Sequence, residues 1–180
     1  MPTDSMRSRI HPLDEFCLRD GRPLPEFVEV QPAEIPEPAR SLLVHERDMT
    51  RTLEQFHGCS IHLRVLSKYS DATTYCRESV LELDRGDQPV EFGAIKIYLE
   101  RFAEPWRSQI LEAHLPLGGI LNASGLRYSS RPSAYLRFAP DAFIAAVFRW
   151  SERVWTYGRQ NTLRDEKGRP LAEIIEILPA

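Results

Sequence analysis

Hydrophobic positions recur with two different periods along this chain, and the change of period separates predicted helices from predicted strands. Apolar residues at helical spacing predict one helix near Pro38 and a second that begins at Asp48 as N-cap and ends at Gly58. From Ile61 onward, apolar and polar residues alternate, which is typical of a β-strand. Further strands are predicted over residues 74–83, 90–100, 126–138, 152–164 and 169–178.

Polar turns and short helices connect the predicted strands. Residues 84–89 and 165–170 contain Gly, Asp and Pro, so each predicts a hairpin turn. Residues 105–114, residues 116–122 and a segment beginning at Pro140 are predicted helices. Hairpins with helices inserted between them define an α+β class, and we predict a six-stranded antiparallel sheet.

The first 35 residues differ in composition from the rest. Seven of the 14 prolines fall within residues 1–40, and proline disfavours regular structure. We therefore predict an irregular Pro-rich arm over residues 1–35 and one folded domain over residues 36–180.

Charge and cysteine content narrow the class of protein. The net charge of −3 arises entirely within residues 1–40, and the remaining residues carry 18 basic and 18 acidic side chains, which argues against a nucleic-acid partner. No apolar run approaches the roughly 20 residues of a membrane span, and the start Met1–Asp4 does not resemble a signal peptide. Three cysteines without a C-x-x-C pair indicate reduced thiols, so we expect a cytoplasmic protein. We also expect a monomer.

Arg77 is the first candidate site residue. On strand 74–83 it shares the more apolar face with Tyr75, Ser79 and Leu81. A charge on such a face needs a partner, since an unpaired buried charge costs several kcal/mol. The partner is either a ligand carboxylate or a nearby glutamate, and a place at the sheet edge is a further alternative.

Two predicted helix starts are candidate anion sites. Pro116 suits a first helical turn, and Gly118 allows a ligand to approach the backbone closely. The free N–H groups that follow, with that of Leu117 among them, favour a carboxylate. The segment at Asp48 and Met49 begins a helix in the same way. The alternative for each of these two segments is an ordinary helix start that binds no ligand.

Two glutamates in the last predicted strand are candidate acids. Alternation places Glu173 and Glu176 on opposite faces, and the inward one is expected to have a raised pKa and to be able to donate a proton. No histidine spacing of a metal site, no nucleophile elbow, no P-loop and no G-x-G-x-x-G motif is present. Two classes of function are then left open. One is catalysis without a cofactor or a metal, and the other is ligand binding without catalysis.

The order of several short motifs resembles the chorismate lyase (chorismate pyruvate-lyase) family. The resemblance extends from about Leu42 to Pro179 and rests on five motifs in register. These are Leu42-Leu43 with Asp48-Met49-Thr50, Arg77-Glu78-Ser79-Val80-Leu81, Pro116-Leu117-Gly118, Tyr157-Gly158-Arg159, and Gly168-Arg169-Pro170-Leu171 with a glutamate before Leu178-Pro179.

This resemblance implies a six-stranded antiparallel fold around a closed cavity and the cofactor-free conversion of chorismate to 4-hydroxybenzoate and pyruvate. It implies that Arg77 grips the substrate carboxylate, that Met49, Leu117 and Gly118 line the site, and that the C-terminal glutamate is the catalytic acid. For that role we predict Glu176, with Glu173 as the alternative.

A binding role is the competing hypothesis. The chain would then be a non-catalytic binding protein for a small aromatic carboxylate. The same architecture serves as the effector-binding domain of some transcription regulators. Because the chain has no room for a DNA-reading helix pair, we expect that role only as a stand-alone ligand-binding module.

Overall fold

A computed structural model describes residues 9–180, and within that range runs of strands are separated by short helices, which is an α+β arrangement. The elements are α1 (Leu13–Arg19), β1 (Phe27–Val30), α2 (Ala39–Leu43), α3 (Met49–His57), β2 (Ile61–Ser70), β3 (Thr74–Leu83), β4 (Pro89–Tyr98), α4 (Trp106–Glu112), α5 (Leu117–Ser124), β5 (Tyr128–Phe138), α6 (Ala142–Val147), β6 (Thr156–Asp165) and β7 (Pro170–Leu178). Single 3₁₀ turns lie at Pro32–Glu34 and Leu99–Arg101.

One sheet runs through the part of the chain that the structure describes. Its strand order is β1-β5-β6-β7-β4-β3-β2, and every neighbouring pair is antiparallel. The predicted α+β class and antiparallel sheet are confirmed. The described sheet has seven strands, however, and the predicted six are joined by β1, which pairs with β5 at the sheet edge.

The arm predicted over residues 1–35 contains regular structure from residue 9 onward, so the description of it as irregular is wrong there. Helix α1 buries Leu13, Phe16 and Cys17 against the sheet. These residues recur at i, i+3 and i+4, a helical period that the high proline content of the segment obscured. Residues 1–8, which include the segment Met1–Asp4, lie outside the described residues.

The sheet is covered on both faces, which explains why β3 is buried along nearly its whole length. On one face, α1 and α6 pack over Val80, Phe92 and Ile175. On the other face, α4 and α5 form one apolar cluster while α2 and α3 form another. The candidate site lies between these two clusters. Within residues 9–180, no helix has the length and apolar character needed to cross a membrane.

A polar network fastens α1 to the sheet. The ring of His11 lies 3.2 Å from Asp14 and 3.4 Å from Glu173, and the Tyr98 hydroxyl donates to Glu173 at 3.0 Å. Burial disfavours the charged ring, but the hydrogen bonds to Asp14 and Glu173 and the charge of Glu15 outweigh it, so the pKa of His11 rises to about 9. The network therefore holds a charged histidine at neutral pH.

The stabilisation that His11 contributes is expected to depend on pH. Its pKa in the folded protein exceeds the unfolded value of 6.5, so the contribution is complete below pH 6.5 and is lost as pH rises through about 9. Urea unfolding of the wild type and of His11→Gln at several pH values measures it. The difference between the two proteins should be largest near pH 6 and vanish near pH 10. A difference independent of pH would contradict the linkage.

Candidate functional site

A cavity lies on the sheet face between the two helix pairs. The space within it that the centre of a water molecule can reach is about 80 Å³, and the cavity is partly open to solvent. Strands β3, β4, β6 and β7 form its floor, and the starts of α3 and α5 form its roof. Its charged lining residues are Arg47, Asp48, Arg77, Glu91, Arg159 and Glu176.

Two helix starts meet at the roof of the cavity. Asp48 caps α3 by accepting a hydrogen bond from the backbone N–H of Arg51 at 2.8 Å, as its sequence position predicted. Its carboxylate also lies against the start of α5, where a Cβ added to Gly118 would come within 1.7 Å of Oδ2. Glycine at this position therefore lets the two helix starts approach each other. Burial raises the pKa of Asp48.

Arg77 projects into the cavity from β3 and is 2% exposed. One nitrogen, Nη2, donates to the carbonyl oxygen of Leu115 at 3.3 Å, while Nε and Nη1 have no hydrogen-bond partner. Among the described residues, no carboxylate forms an ion pair with this guanidinium. Burial lowers the pKa of Arg77, which is the expected effect of removing a charge from water without a counter-charge. Two donors are therefore available to an anion.

Arg159 is fully buried at the opposite side of the floor. Its Nε donates to Glu176 in a close ion pair, and its Nη1 donates to the carbonyl oxygens of Leu43 and His45, each at 2.9 Å. Leu43 is the last residue of α2, and His45 lies in the loop between α2 and α3 at the cavity roof. Arg159 therefore joins the floor to that loop, while its Nη2 has no partner.

Glu91 is a buried carboxyl beside this ion pair. One of its oxygens, Oε2, has no hydrogen-bond partner. Burial, together with the negative charge of Glu176, raises the pKa of Glu91 well above its ordinary value, although the positive charge of Arg159 opposes the shift. Gly93 makes room for this side chain, since a Cβ there would lie 3.1 Å from Glu91 Oε1.

The structure brings together five of the six residues predicted for the site. Arg77, Met49, Leu117, Gly118 and Glu176 all line the cavity. The alternative acid Glu173 lies on the other sheet face, where it contacts His11 and Tyr98. Glu176 points inward and is 4% exposed, but its carboxylate is engaged in an ion pair with Arg159.

Glu91 and Arg159 are the site residues that the sequence did not assign. Alternation along β4 places Glu91 on the same face as Gly93 and Ile95, which is a usable signal because it sets a carboxylate on an apolar face. Arg159 appeared only within the motif Tyr157-Gly158-Arg159, and nothing in its spacing indicates a buried ion pair. Within residues 9–180, no group of His, Cys, Asp and Glu is arranged to hold a metal ion.

Comparisons with known proteins identify the fold. No protein-family model and no curated protein matches the chain. Solved structures do match. PhnF from Mycobacterium smegmatis is 15% identical, with a TM-score of 0.56 over 76% of this chain and 65% of that protein. The effector domain of the same protein is 16% identical, with a TM-score of 0.56 over 74% of this chain and 88% of the domain.

A third match comes from Bordetella bronchiseptica and is described as the ligand-binding domain of a GntR-family transcriptional regulator. It is 12% identical, with a TM-score of 0.50 over 67% of this chain and 86% of the domain. The chain thus spans somewhat less than two thirds of full-length PhnF and most of the two isolated domains. At these identities the likeness establishes a shared fold, which is the chorismate-lyase-like architecture.

The predicted chorismate pyruvate-lyase activity is corrected by these comparisons. The similar structures are PhnF, its effector domain and the ligand-binding domain of a GntR-family transcriptional regulator, and none of the three is named as a lyase. The site agrees with that correction, because the predicted proton donor Glu176 accepts a hydrogen bond from the Arg159 guanidinium and is already engaged as an ion pair. Because the predicted lyase activity is wrong, the predicted products, 4-hydroxybenzoate and pyruvate, are wrong as well.

Proposed function

We propose that this chain is a ligand-binding domain for a small organic anion, in which the ligand is bound and not transformed. The observation that carries the proposal is Arg77, a buried guanidinium with two unpartnered donors that face an internal cavity. A buried charge without a counter-charge destabilises the unliganded protein, and a carboxylate or phosphate supplies the missing partner.

The roof of the cavity supports an anion in the same place. Pro116, Leu117 and Gly118 line the cavity at the start of α5, and the carbonyl of Leu115 is bonded to Arg77. The free backbone N–H groups of a helix start favour a negative charge. The guanidinium and the helix start therefore lie close enough to contact one anionic group.

The named roles of the structural neighbours support a regulatory use of binding. Two of them are an effector domain and a ligand-binding domain of regulators, so we propose that occupancy of this cavity is a signal rather than a step in catalysis. The prediction that the protein binds a small organic anion is therefore retained, with binding as a signal. The exclusion of a nucleic-acid partner is not supported by such neighbours and rests on the balanced charge alone.

Ligand-dependent thermal stabilisation tests the proposal. A panel of carboxylates and organic phosphates is expected to contain members that raise the melting temperature of the wild type, because a ligand at 100 times its Kd stabilises the folded state by about 2.7 kcal/mol. Isothermal titration calorimetry then gives one site per chain. Arg131→Met, which alters an exposed arginine of β5, is the control and should bind equally well. A panel without any stabilising anion would contradict the proposal.

A further inference from the structure

Asp48 brings a negative charge of the protein to the helix start that the anion would contact. Its Oδ1 accepts a hydrogen bond from the backbone N–H of Arg51 at 2.8 Å, and its Oδ2 lies against Gly118 in the first turn of α5. The first N–H groups of a helix have no partner within the helix, and in α5 these belong to Leu117 and its neighbours. An anion bound to these groups therefore lies beside the Asp48 carboxylate.

The small size of the cavity keeps a bound anion close to this carboxylate. Arg77 and Asp48 both line the cavity, in which the centre of a water molecule can reach only about 80 Å³. Arg77 donates to the carbonyl oxygen of Leu115 just before α5, and it forms no ion pair with Asp48. An anion that contacts both Arg77 and the start of α5 is therefore within range of the Asp48 charge, which water screens incompletely in a partly buried site.

The charge of Asp48 affects anions of different charge unequally. Coulomb repulsion is proportional to the product of the two charges, so a phosphate dianion is repelled about twice as strongly as a carboxylate monoanion at the same distance. Protonation of Asp48 removes this repulsion and turns the carboxyl into a hydrogen-bond donor. Burial and the charge of Glu176 raise the pKa of Asp48, although the hydrogen bond from Arg51 opposes the shift. The protonated form is therefore easier to reach than for an exposed aspartate.

We infer that Asp48 is a specificity-determining residue of this site, which favours monoanions over dianions and takes up a proton when an anion binds beside it. This inference rests on the proposed function and adds the charge of the ligand to it. Helix α5 itself carries no charged side chain. The other titratable or charged groups that act on Asp48 or share the cavity with it are Arg47 of the preceding loop, Arg51 and Glu54 of α3, Arg77 of β3, Glu91 of β4, Tyr128 of β5, Arg159 of β6 and Glu176 of β7.

Two ligands with the same ring and different charges test the preference by calorimetry. At about pH 8 benzoate is a monoanion and phenyl phosphate is a dianion, since a phosphate monoester loses its second proton near pH 6. Asp48→Asn and Asp48→Ser both remove the charge and retain a good helix N-cap. Each variant is expected to shift the ratio of the two affinities by about 10-fold in favour of phenyl phosphate, because the dianion gains more from loss of the nearby charge.

The pH dependence of benzoate binding tests the uptake of a proton. Benzoate stays ionised from about pH 5.5 to about pH 8. Over this range the affinity of the wild type should fall as pH rises, because binding requires a proton that Asp48 then lacks. Calorimetry in two buffers of different ionisation enthalpy should show uptake of a fraction of a proton near pH 6, and both effects should be smaller in Asp48→Asn.

Asp141→Asn is the matched control for a helix cap away from the cavity. Asp141 caps α6 on the other sheet face and accepts from the N–H groups of Phe143 and Ile144 at 2.8 and 2.9 Å. Its substitution should change neither the affinity ratio nor the pH dependence.

Three results would overturn the inference. The first is an equal change, or no change, in the affinities for both ligands on substitution of Asp48, and the second is a pH dependence that Asp48→Asn retains in full. Either would leave the proposed function standing. The third is absence of binding of both ligands to the wild type and to both Asp48 variants, in which case the wider panel of anions decides the proposed function separately.

Discussion

Replacing Arg159 by methionine is expected to lower the free energy of unfolding by about 3–5 kcal/mol, the cost of breaking a buried ion pair from one side. The substitution leaves the Glu176 carboxylate buried without its cation. It also removes the Arg159 donor from the His45 carbonyl and one of two donors from the Leu43 carbonyl, which still accepts from the His45 N–H. The loop that covers the cavity is held by these two bonds from Arg159, so its protection from hydrogen exchange should fall as well. Urea denaturation and amide exchange measure the two effects.

A second substitution identifies the cause of that loss. In the double variant Arg159→Met with Glu176→Leu, the uncompensated carboxylate is gone, so a substantial part of the stability should return. Arg164→Met changes an arginine of the same strand that donates a hydrogen bond to the exposed Gly168 carbonyl, and it should cost about 0.5 kcal/mol or less. If Arg159→Met and Arg164→Met destabilised the protein equally, the ion pair between Arg159 and Glu176 would not be a major source of stability.

Replacing Arg77 by methionine should change stability and affinity in opposite directions. Without ligand, the variant is expected to be more stable by about 1 kcal/mol or more, because an apolar side chain replaces a buried charge that has no counter-charge. Affinity for the anions that bind the wild type should fall by about 1.5–3 kcal/mol, the range for hydrogen bonds to a charged group. Urea denaturation and calorimetry of the same two proteins measure these changes.

The lysine variant refines the test of Arg77. Arg77→Lys retains the positive charge but not the planar pair of donors, so it should bind anions more weakly than the wild type and more tightly than the methionine variant. A methionine variant that is less stable and binds anions unchanged would show that Arg77 is a structural residue, and the proposed anion site would then be wrong.

The sequence determined the features that depend on neighbours in the chain. Hydrophobic period distinguished helices from strands, and the turn residues near Gly86 and Gly168, both of which have positive φ, located the two hairpins. Asp48 and Gly58 marked the start and the end of α3. These signals are local because they arise from backbone geometry and nearest hydrogen bonds. The same local reasoning missed α1 and β1, whose segment is rich in proline.

The sequence also identified Arg77 as a charge on an apolar strand face, but not its surroundings. Whether a glutamate or the cavity faces Arg77 depends on which strands become neighbours in the sheet. In this sheet β4 lies between β3 and β7, although β7 is the last strand of the chain. That order also sets Glu176 beside Gly93 and Arg159, which turned a predicted proton donor into half of an ion pair.

The chemistry of the site was therefore decided by tertiary structure. Alternation and caps specify which side chains point inward from each element, and they did so for Arg77 and the start of α5. For the last strand they left Glu173 and Glu176 as alternatives, and the family resemblance selected Glu176. They do not specify which inward charges meet, because pairing arises from strand order and register between segments far apart in the sequence. The meeting of Arg159 with Glu176, and the isolation of Arg77 from every described carboxylate, are results of that order alone.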